Sequence, residues 1–360
     1  MALAAVQFLE RLERNQVRPA RRRWDGRLTG TEVTLYYGCS GKMLNDDMIG
    51  KACDEVESRF QELSNAEQNS EQPPPLLHHY TSAEGLLGIV QTRQLWATNA
   101  FYLNDTSEVS DALGFFRSEL ESLKLGEHAS LSCQNIWLHS KDVPLDHFIV
   151  SFCKDGDLLG QWRRYGSRGT GYSIGFHTSA LLAAAQRERN SFQGGCTLRR
   201  VKYLPDQKVE MMRKRVEILR GILEPLRDEL EFKDEDGYRR LIRLWVQINA
   251  SLHPTLALMK HYTFESEEEW RLVRTLWRKP VPTVEWSVQV RMIGGKLAPY
   301  IPISWVLPNS PESGEVRGVS EVHCGPSADP ELKEKVVRDL LIAQNCLGAR
   351  VVRSAVPLRA

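Results

Sequence analysis

Histidines, carboxylates and amides that could do chemistry fall into four stretches of the sequence, two of which precede helix patterns. The first is His78-His79-Tyr80-Thr81, at the end of a strand pattern. The second surrounds Asn104, Asp105 and Glu108. Each also has a structural interpretation. A single histidine is commonly a core residue bonded to the backbone, and Asn and Asp are the residues that helix starts favour.

The third stretch, residues 150–176, combines aromatic residues with glycines. Ser151 and Phe152 end a strand pattern, and Trp162 and Tyr165 lie on the following helical turn. This composition suits a flat aromatic ligand held against bare backbone, and it equally suits a well-packed corner. Gly169-Thr-Gly171 lacks the third glycine and the following helix of a phosphate-binding fingerprint.

The fourth stretch carries three consecutive glutamates. If residues 267–273 form a strand, Glu267, Glu269 and Arg271 share one face of it. Acidic residues are depleted in strands, so their concentration at a strand entry favours a functional role over a solvated edge.

The elements that position these residues begin after a predicted linker. The polar run 64–72 ends in Pro73-Pro74-Pro75, which cannot continue a helix and is typical of a semi-rigid linker. Upstream, residues 1–72 form an accessory region with helical patterns near 3–15 and 45–64. Downstream, 76–360 alternates strands and helices around one core.

Capping boxes at 81–84 and 105–108 predict two helix starts downstream of the linker. Strands are predicted at 95–99, 147–153, 171–176, 269–275, 286–293, 298–306 and 350–356. Two long helices, 207–229 and 236–258, form a predicted helical insertion. Asp329-Pro330 begins a last helix that Gly348 is expected to end.

Composition excludes several classes of protein. Hydrophobic residues make up 42% and charged residues 26%, which is typical of a globular protein. A net charge of +1 gives no overall attraction to nucleic acid or membrane. Seven widely spaced cysteines argue against a disulfide framework or structural zinc, and no apolar run of membrane-spanning length is present. Together with the lack of a signal peptide pattern, these features predict a cytoplasmic location.

Taken in order, the motifs resemble an uncharacterised bacterial domain family that looks like a distant branch of the ADP-ribosyltransferases. The resemblance covers about residues 76–359. The motifs that carry it are His79-Tyr80-Thr81, Asn104-Asp105-x-x-Glu108, Ser151-Phe152, Trp162-x-x-Tyr165, Gly171-x-x-Ile174-Gly175-Phe176 and Glu267-x-Glu269-Trp270-Arg271.

The resemblance implies an α+β fold with a split pair of small sheets and NAD⁺, the co-substrate, in the cleft between them. His79 then bonds a ribose hydroxyl, Phe152 stacks on the nicotinamide, and Glu269 grips the nicotinamide ribose. Glu267 is a second expected catalytic carboxylate. The remaining expected NAD⁺ contacts are Tyr80, Thr81, Asn104, Ser151, Trp162 and Tyr165.

Two positions depart from better-known transferases: Tyr80 replaces a glycine, and Phe152 replaces a tyrosine. Arg163, Arg164 and Arg168 either bind the pyrophosphate or are surface charges.

The function implied by the resemblance is transfer of ADP-ribose from NAD⁺ to a macromolecule, protein or nucleic acid, in a toxin or anti-phage setting. Hydrolysis of NAD⁺ without transfer is a variant of it. A catalytically inactive binding module of the same fold is a second hypothesis. A third is a metal-dependent nuclease using His78, His79 and the acidic residues at 104–108. No carboxylate pair has metal-ligand spacing with these histidines, so the sequence predicts no metal site.

Overall fold

The chain forms a mixed α+β fold with two β-sheets, described here from a computed structural model. The residues described are 47–102, 145–165, 171–191, 195–226, 235–277, 288–293, 295–307 and 317–357, together with 114, 116, 118–121 and 123. Asn104, Asp105 and Glu108 lie outside them, as do Arg168 and the patterns predicted at 3–15 and 105–108.

Ten strands and seven helices are described along the chain. The helices are α1 (Asp47–Ser70), α2 (Ala83–Thr92), α3 (Leu159–Arg164), α4 (Thr178–Ser191), α5 (Pro205–Leu223), α6 (Glu235–Leu256) and α7 (Pro330–Ala343), with short 3₁₀ helices at Ala100–Tyr102 and Tyr262–Glu267. The strands are β1 (Leu76–Thr81), β2 (Gln94–Asn99), β3 (Leu145–Phe152), β4 (Tyr172–His177), β5 (Cys196–Arg200), β6 (Trp270–Trp277), β7 (Gln289–Ile293), β8 (Lys296–Ser304), β9 (Val319–Cys324) and β10 (Arg350–Arg353).

The strands divide into a four-stranded sheet, ordered β1-β4-β9-β10, and a six-stranded sheet, ordered β5-β6-β3-β2-β8-β7. The two sheets meet where β1 passes the end of β3. There the backbone N–H groups of His78 and Cys153 each donate to the other residue's carbonyl oxygen over 2.8 Å. This reciprocal pair places the first and third motifs of the sequence side by side.

The two larger of three hydrophobic clusters hold the described part of the molecule together. One lies between the sheets and helices α2, α4 and α7, and includes Phe176 and Trp305, both fully buried. The other joins α1, α5 and α6 to the six-stranded sheet through Ile149 and Val273. The predicted helical insertion is therefore two helices that pack with α1 against the back of the larger sheet.

Several sequence predictions about these elements need correction. The run 64–70, predicted as linker, is the end of α1, whose polar residues face buried cations described below. The N-cap of α2 is Ser82, which accepts a hydrogen bond from the Gly85 N–H, and not Thr81. Asp329 caps α7 as predicted, but the helix ends at Ala343, before left-handed Asn345, and not at Gly348.

Gly318, at the entry to β9, provides a test of backbone strain. Its φ of +140° is rarely adopted by residues with a side chain, and an added Cβ would lie 2.6 Å from the Trp305 carbonyl oxygen. We expect Gly318→Ala to lower the free energy of unfolding by about 1–3 kcal/mol in urea titrations. Gly221→Ala is the matched control, because its Cβ would meet only Arg59 at 3.7 Å in a helix, where alanine is favoured. Equal stability of the two variants would contradict the strain argument.

None of the helices in the described part of the chain is long and apolar enough to cross a membrane.

Candidate active site

The candidate active site forms where β3 ends and β6 begins. These strands pair antiparallel, with Phe152 opposite Trp270 and Ser151 opposite Arg271. Glu269 directly precedes β6, so this register brings its side chain next to exposed Ser151. The strand predicted at 269–275 is β6, which begins at Trp270, so the condition that residues 267–273 form a strand is not met at Glu267 and Glu269.

Glu269 is buried and held by two cations. Lys260 Nζ lies 2.9 Å from its Oε2, and Arg271 Nε lies 2.7 Å from its Oε1. Its backbone N–H donates to the Tyr203 hydroxyl oxygen over 2.8 Å. Burial alone would raise the pKa of this carboxyl, but Arg271 and Lys260, with a hydrogen bond from Ser151, bring it to about 2. Glu269 is therefore a carboxylate at every physiological pH.

Glu267 reaches the same lysine by a different route. It ends the 3₁₀ helix, and Glu268 then adopts left-handed backbone (φ 41°), which turns its own side chain to the exterior. Lys260 Nζ lies 2.8 Å from Glu267 Oε2, and Arg164 lies 3.1 Å from Oε1. Glu267 and Glu269 thus converge on Lys260, although they do not share a strand face as predicted.

His79 lies on the other side of Ser151. Its Nδ1–H donates to the Ser151 carbonyl oxygen over 2.9 Å, since a carbonyl can only accept. Burial lowers the pKa of His79, the Ser151 carbonyl opposes that shift, and the charge of Arg291 adds to it. A histidine with a lowered pKa and an ionised carboxylate therefore lie near the same serine, His79 through a hydrogen bond to its carbonyl oxygen and Glu269 through the effect of the serine side chain on its pKa.

The predicted aromatic platform is not present in the form expected. Phe152 and Trp162 are 1% and 0% exposed, so neither ring offers a face to a ligand, and their predicted stacking role is wrong. Phe152 packs on Phe176, and Trp162 packs edge-on against Tyr80 and donates its Nε1–H to Asp157.

Tyr80 is also buried: its hydroxyl donates to the Asp155 carbonyl and accepts from the Leu158 N–H. Its side chain is part of the core, which leaves only backbone groups for the predicted NAD⁺ contact. Thr81 is half-buried at the end of β1. Tyr165 is 45% exposed at the end of α3, so its predicted contact with a ligand stays a prediction.

Sequence reasoning missed two cations of the site. Lys260 follows α6 outside any recognisable motif, and Arg291 lies on β7, where its Nη2 donates to Thr98 Oγ1 over 2.5 Å. The Arg291 guanidinium also lies 5.5 Å from the Trp96 ring. Arg164, proposed for a pyrophosphate, instead pairs with Glu267 and lies 4.4 Å from the Phe264 ring.

His78 and His79 do not form one site. Successive residues of a strand point to opposite faces, and His78 turns away from Ser151 toward Glu321 and His323 of the four-stranded sheet. The nuclease hypothesis, which placed both histidines in one metal site, is therefore not supported in that form. The three side chains that do converge could ligate a metal ion, contrary to the sequence prediction.

One segment of the chain matches a protein family. Residues 161–272 match a family described as "Protein of unknown function (DUF2971)". No curated protein matches the chain, and no solved structure matches it. The matched segment contains Trp162, Tyr165, Glu267 and Glu269, while His79 lies before it.

Proposed function

We propose that the chain transfers ADP-ribose from NAD⁺ to a macromolecular acceptor, protein or nucleic acid. The proposal depends on one observation: Ser151 lies between His79, which donates to its carbonyl oxygen over 2.9 Å, and Glu269, whose pKa its side chain helps to lower. These are the two residues to which the sequence pattern assigns the ribose contacts, and their approach at the junction of two sheets supports the proposal.

The acidity of Glu269 indicates its role in the reaction. As the bond between nicotinamide and ribose C1′ breaks, positive charge develops on the ribose, and the bonding electrons leave with nicotinamide. A nearby carboxylate stabilises that charge where it develops. Because a group with a pKa of about 2 is a poor proton acceptor, we assign Glu269 to charge stabilisation. The acceptor nucleophile then bonds to C1′ and releases its proton to solvent.

His79 has a positioning role in this proposal. The Ser151 carbonyl fixes Nδ1 as the donor, so Nε2 of the neutral ring is an acceptor for a ribose hydroxyl. Because the pKa of His79 is lowered, chiefly by burial, the ring keeps this acceptor at neutral pH.

A second candidate function is a binding module without catalysis. It is favoured by the pairing of both Glu269 oxygens with cations, Oε1 with Arg271 and Oε2 with Lys260. A carboxylate neutralised in this way stabilises a developing positive charge less than a free one does. Under this candidate, the fold binds NAD⁺ or ADP-ribose and leaves the glycosidic bond intact.

The proposal is tested with NAD⁺ labelled in its adenylate phosphate. The purified chain is incubated with labelled NAD⁺ and a cell lysate, and the protein, RNA and DNA fractions are then counted for label. We expect nicotinamide release together with label in one macromolecular fraction. Nicotinamide release without label indicates hydrolysis of NAD⁺. Calorimetric binding of NAD⁺ without any nicotinamide release supports the binding module, and neither binding nor release contradicts both.

A further inference from the structure

A second cluster of ligating side chains lies on the opposite face of β1 from the candidate active site. Along a line across the four-stranded sheet, His78 of β1 pairs with Gly175 of β4, and Gly175 pairs with Glu321 of β9. Since the middle position has no side chain, His78 Nε2 reaches over it to Glu321 Oε1 at 3.0 Å. His323, two residues further along β9, places its Nε2 2.9 Å from the same oxygen.

Two glycines shape the walls of this cluster. A Cβ on Gly175 would lie 2.8 Å from Glu321 Cγ and 3.0 Å from His78 Nε2. A Cβ on Gly156 would lie 2.5 Å from His78 Cδ2 and 2.9 Å from His323 Nε2. Bare backbone on both sides is thus needed for the two rings and the carboxylate to occupy one space.

The hydrogen bonds of His78 define where its lone pair points. Nδ1 lies 3.1 Å from the Lys154 carbonyl oxygen, which can only accept, so Nδ1 carries the hydrogen. In the neutral ring, Nε2 then presents a lone pair to the Glu321 carboxylate, and two acceptors at 3.0 Å repel each other. The contact requires a positive species, either a proton that makes His78 an imidazolium or a cation bound between the groups.

We propose that His78, Glu321 and His323 bind one divalent transition-metal ion of the zinc type. Two imidazoles and one carboxylate are a common ligand set for Zn²⁺, with an open fourth position. Ligands at the usual 2.0–2.1 Å in a tetrahedron lie about 3.3 Å from each other. The observed separations of 3.0 and 2.9 Å need to widen by only a few tenths of an ångström.

The groups behind His78 and Glu321 match those that orient ligands in metal sites. The Lys154 carbonyl holds the ring of His78, as a backbone carbonyl does for many ligating histidines. Arg350 Nη2 lies 2.7 Å from Glu321 Oε2, which leaves Oε1 as the single oxygen directed at the two rings. Both His78 and Glu321 are more than nine-tenths buried, which distinguishes the cluster from ordinary surface acidic groups.

The experiment measures metal binding by the full chain, with no NAD⁺ present. Chelator-treated protein is titrated with Zn²⁺ against a chromophoric chelator, and separately with Co²⁺ while visible absorption is recorded. We expect about one equivalent of Zn²⁺ and a Co²⁺ spectrum typical of four-coordinate geometry. His323→Gln should weaken Zn²⁺ binding at least tenfold, because loss of even an outer partner costs about 10–100-fold. His177→Gln, which replaces an exposed histidine of the same sheet, should bind as the wild type does.

The outcomes separate the metal site from a protonated cluster. Wild-type protein that competes for neither ion overturns the proposal, and so does Zn²⁺ affinity that is unchanged in folded His323→Gln. If circular dichroism shows that His323→Gln does not fold, the Zn²⁺ and Co²⁺ titrations of the wild type still test the proposal. One equivalent of Zn²⁺ with a four-coordinate Co²⁺ spectrum that Zn²⁺ displaces supports the site, and a six-coordinate spectrum overturns it.

Discussion

Glu269→Gln is expected to lower the rate of nicotinamide release from NAD⁺ by about 10²–10³-fold, the usual effect of removing one transition-state electrostatic group. Glutamine keeps the shape of the side chain but removes the negative charge that the proposed mechanism places beside the ribose. Lys260 still pairs with Glu267 in this variant but loses its ion pair with Glu269. The site therefore becomes more positive, which disfavours a positive charge developing nearby. Single-turnover release of nicotinamide, followed by chromatography, is the measurement.

Glu268→Gln is the matched control for this change. Glu268 is the adjacent residue, with a side chain 43% exposed and ion pairs of 3.5 and 3.6 Å to Lys154 and Arg200. It should keep the wild-type rate, and thermal melts of both variants separate lost activity from lost folding. Wild-type turnover in a folded Glu269→Gln protein would remove this carboxylate from the mechanism.

Glu67→Gln is expected to lower the free energy of unfolding by about 3–5 kcal/mol, the cost of breaking a buried ion pair from one side. Glu67 lies near the end of α1, with Oε2 at 3.1 Å from Arg199 and 2.9 Å from Arg215. Both guanidinium groups are almost fully buried. The neutral glutamine removes the carboxylate that Arg215 contacts at 2.9 Å, whereas Arg199 keeps its ion pair with Glu71 at 3.1 Å. Urea denaturation at pH 7 measures the change.

The pH dependence of the same variant provides an independent check. Burial alone would raise the pKa of Glu67, but Arg215 and Arg199 outweigh it and hold the pKa below the ordinary 4.5. A lowered folded-state pKa gives stability that is present above the unfolded-state value and is lost as pH falls through the folded one. The difference in free energy of unfolding between the wild type and Glu67→Gln should therefore shrink below about pH 4.5.

The control for Glu67 comes from the exposed part of the same helix. Glu55 pairs with Arg59 at 3.0 Å, with about half of each side chain exposed. Glu55→Gln should cost no more than about 1 kcal/mol. If Glu67→Gln lowers the free energy of unfolding as little as Glu55→Gln does, the ion pairs of Glu67 with Arg199 and Arg215 do not hold α1 to the rest of the fold.

Several regular elements of this fold were readable from the sequence because their signals are local, whereas β5, β9 and α4 were not predicted. Apolar runs predicted strands β3 and β4, and helical spacing of apolar residues predicted α5 and α6. The end of α1 was misread for a physical reason. Its glutamates look solvated in sequence, and only the fold shows that two buried arginines face them.

The candidate site was predictable where its residues carry their own signal. Glu267 and Glu269 stood out as acids at a strand entry, and they do converge, through a 3₁₀ turn that no periodicity revealed. Lys260 was missed because a lysine after a helix is ordinary in any sequence. Phe152 and Trp162 were misassigned because a ring that stacks on a ligand and a ring that fills the core have the same composition and spacing.

The partners of His78 illustrate the same limit at long range. Glu321 is 243 positions away, and its approach depends on the order β1-β4-β9 and on a glycine in the middle strand. Neither the strand order nor the register can be obtained from spacing along the chain.

The backbone pair between His78 and Cys153 ties the two sheets together beside the candidate site. At this point the sheets cannot separate without breaking both hydrogen bonds. Ser151 is only two residues from this point, so its distances to His79 and Glu269 should change little in any motion that leaves both hydrogen bonds in place.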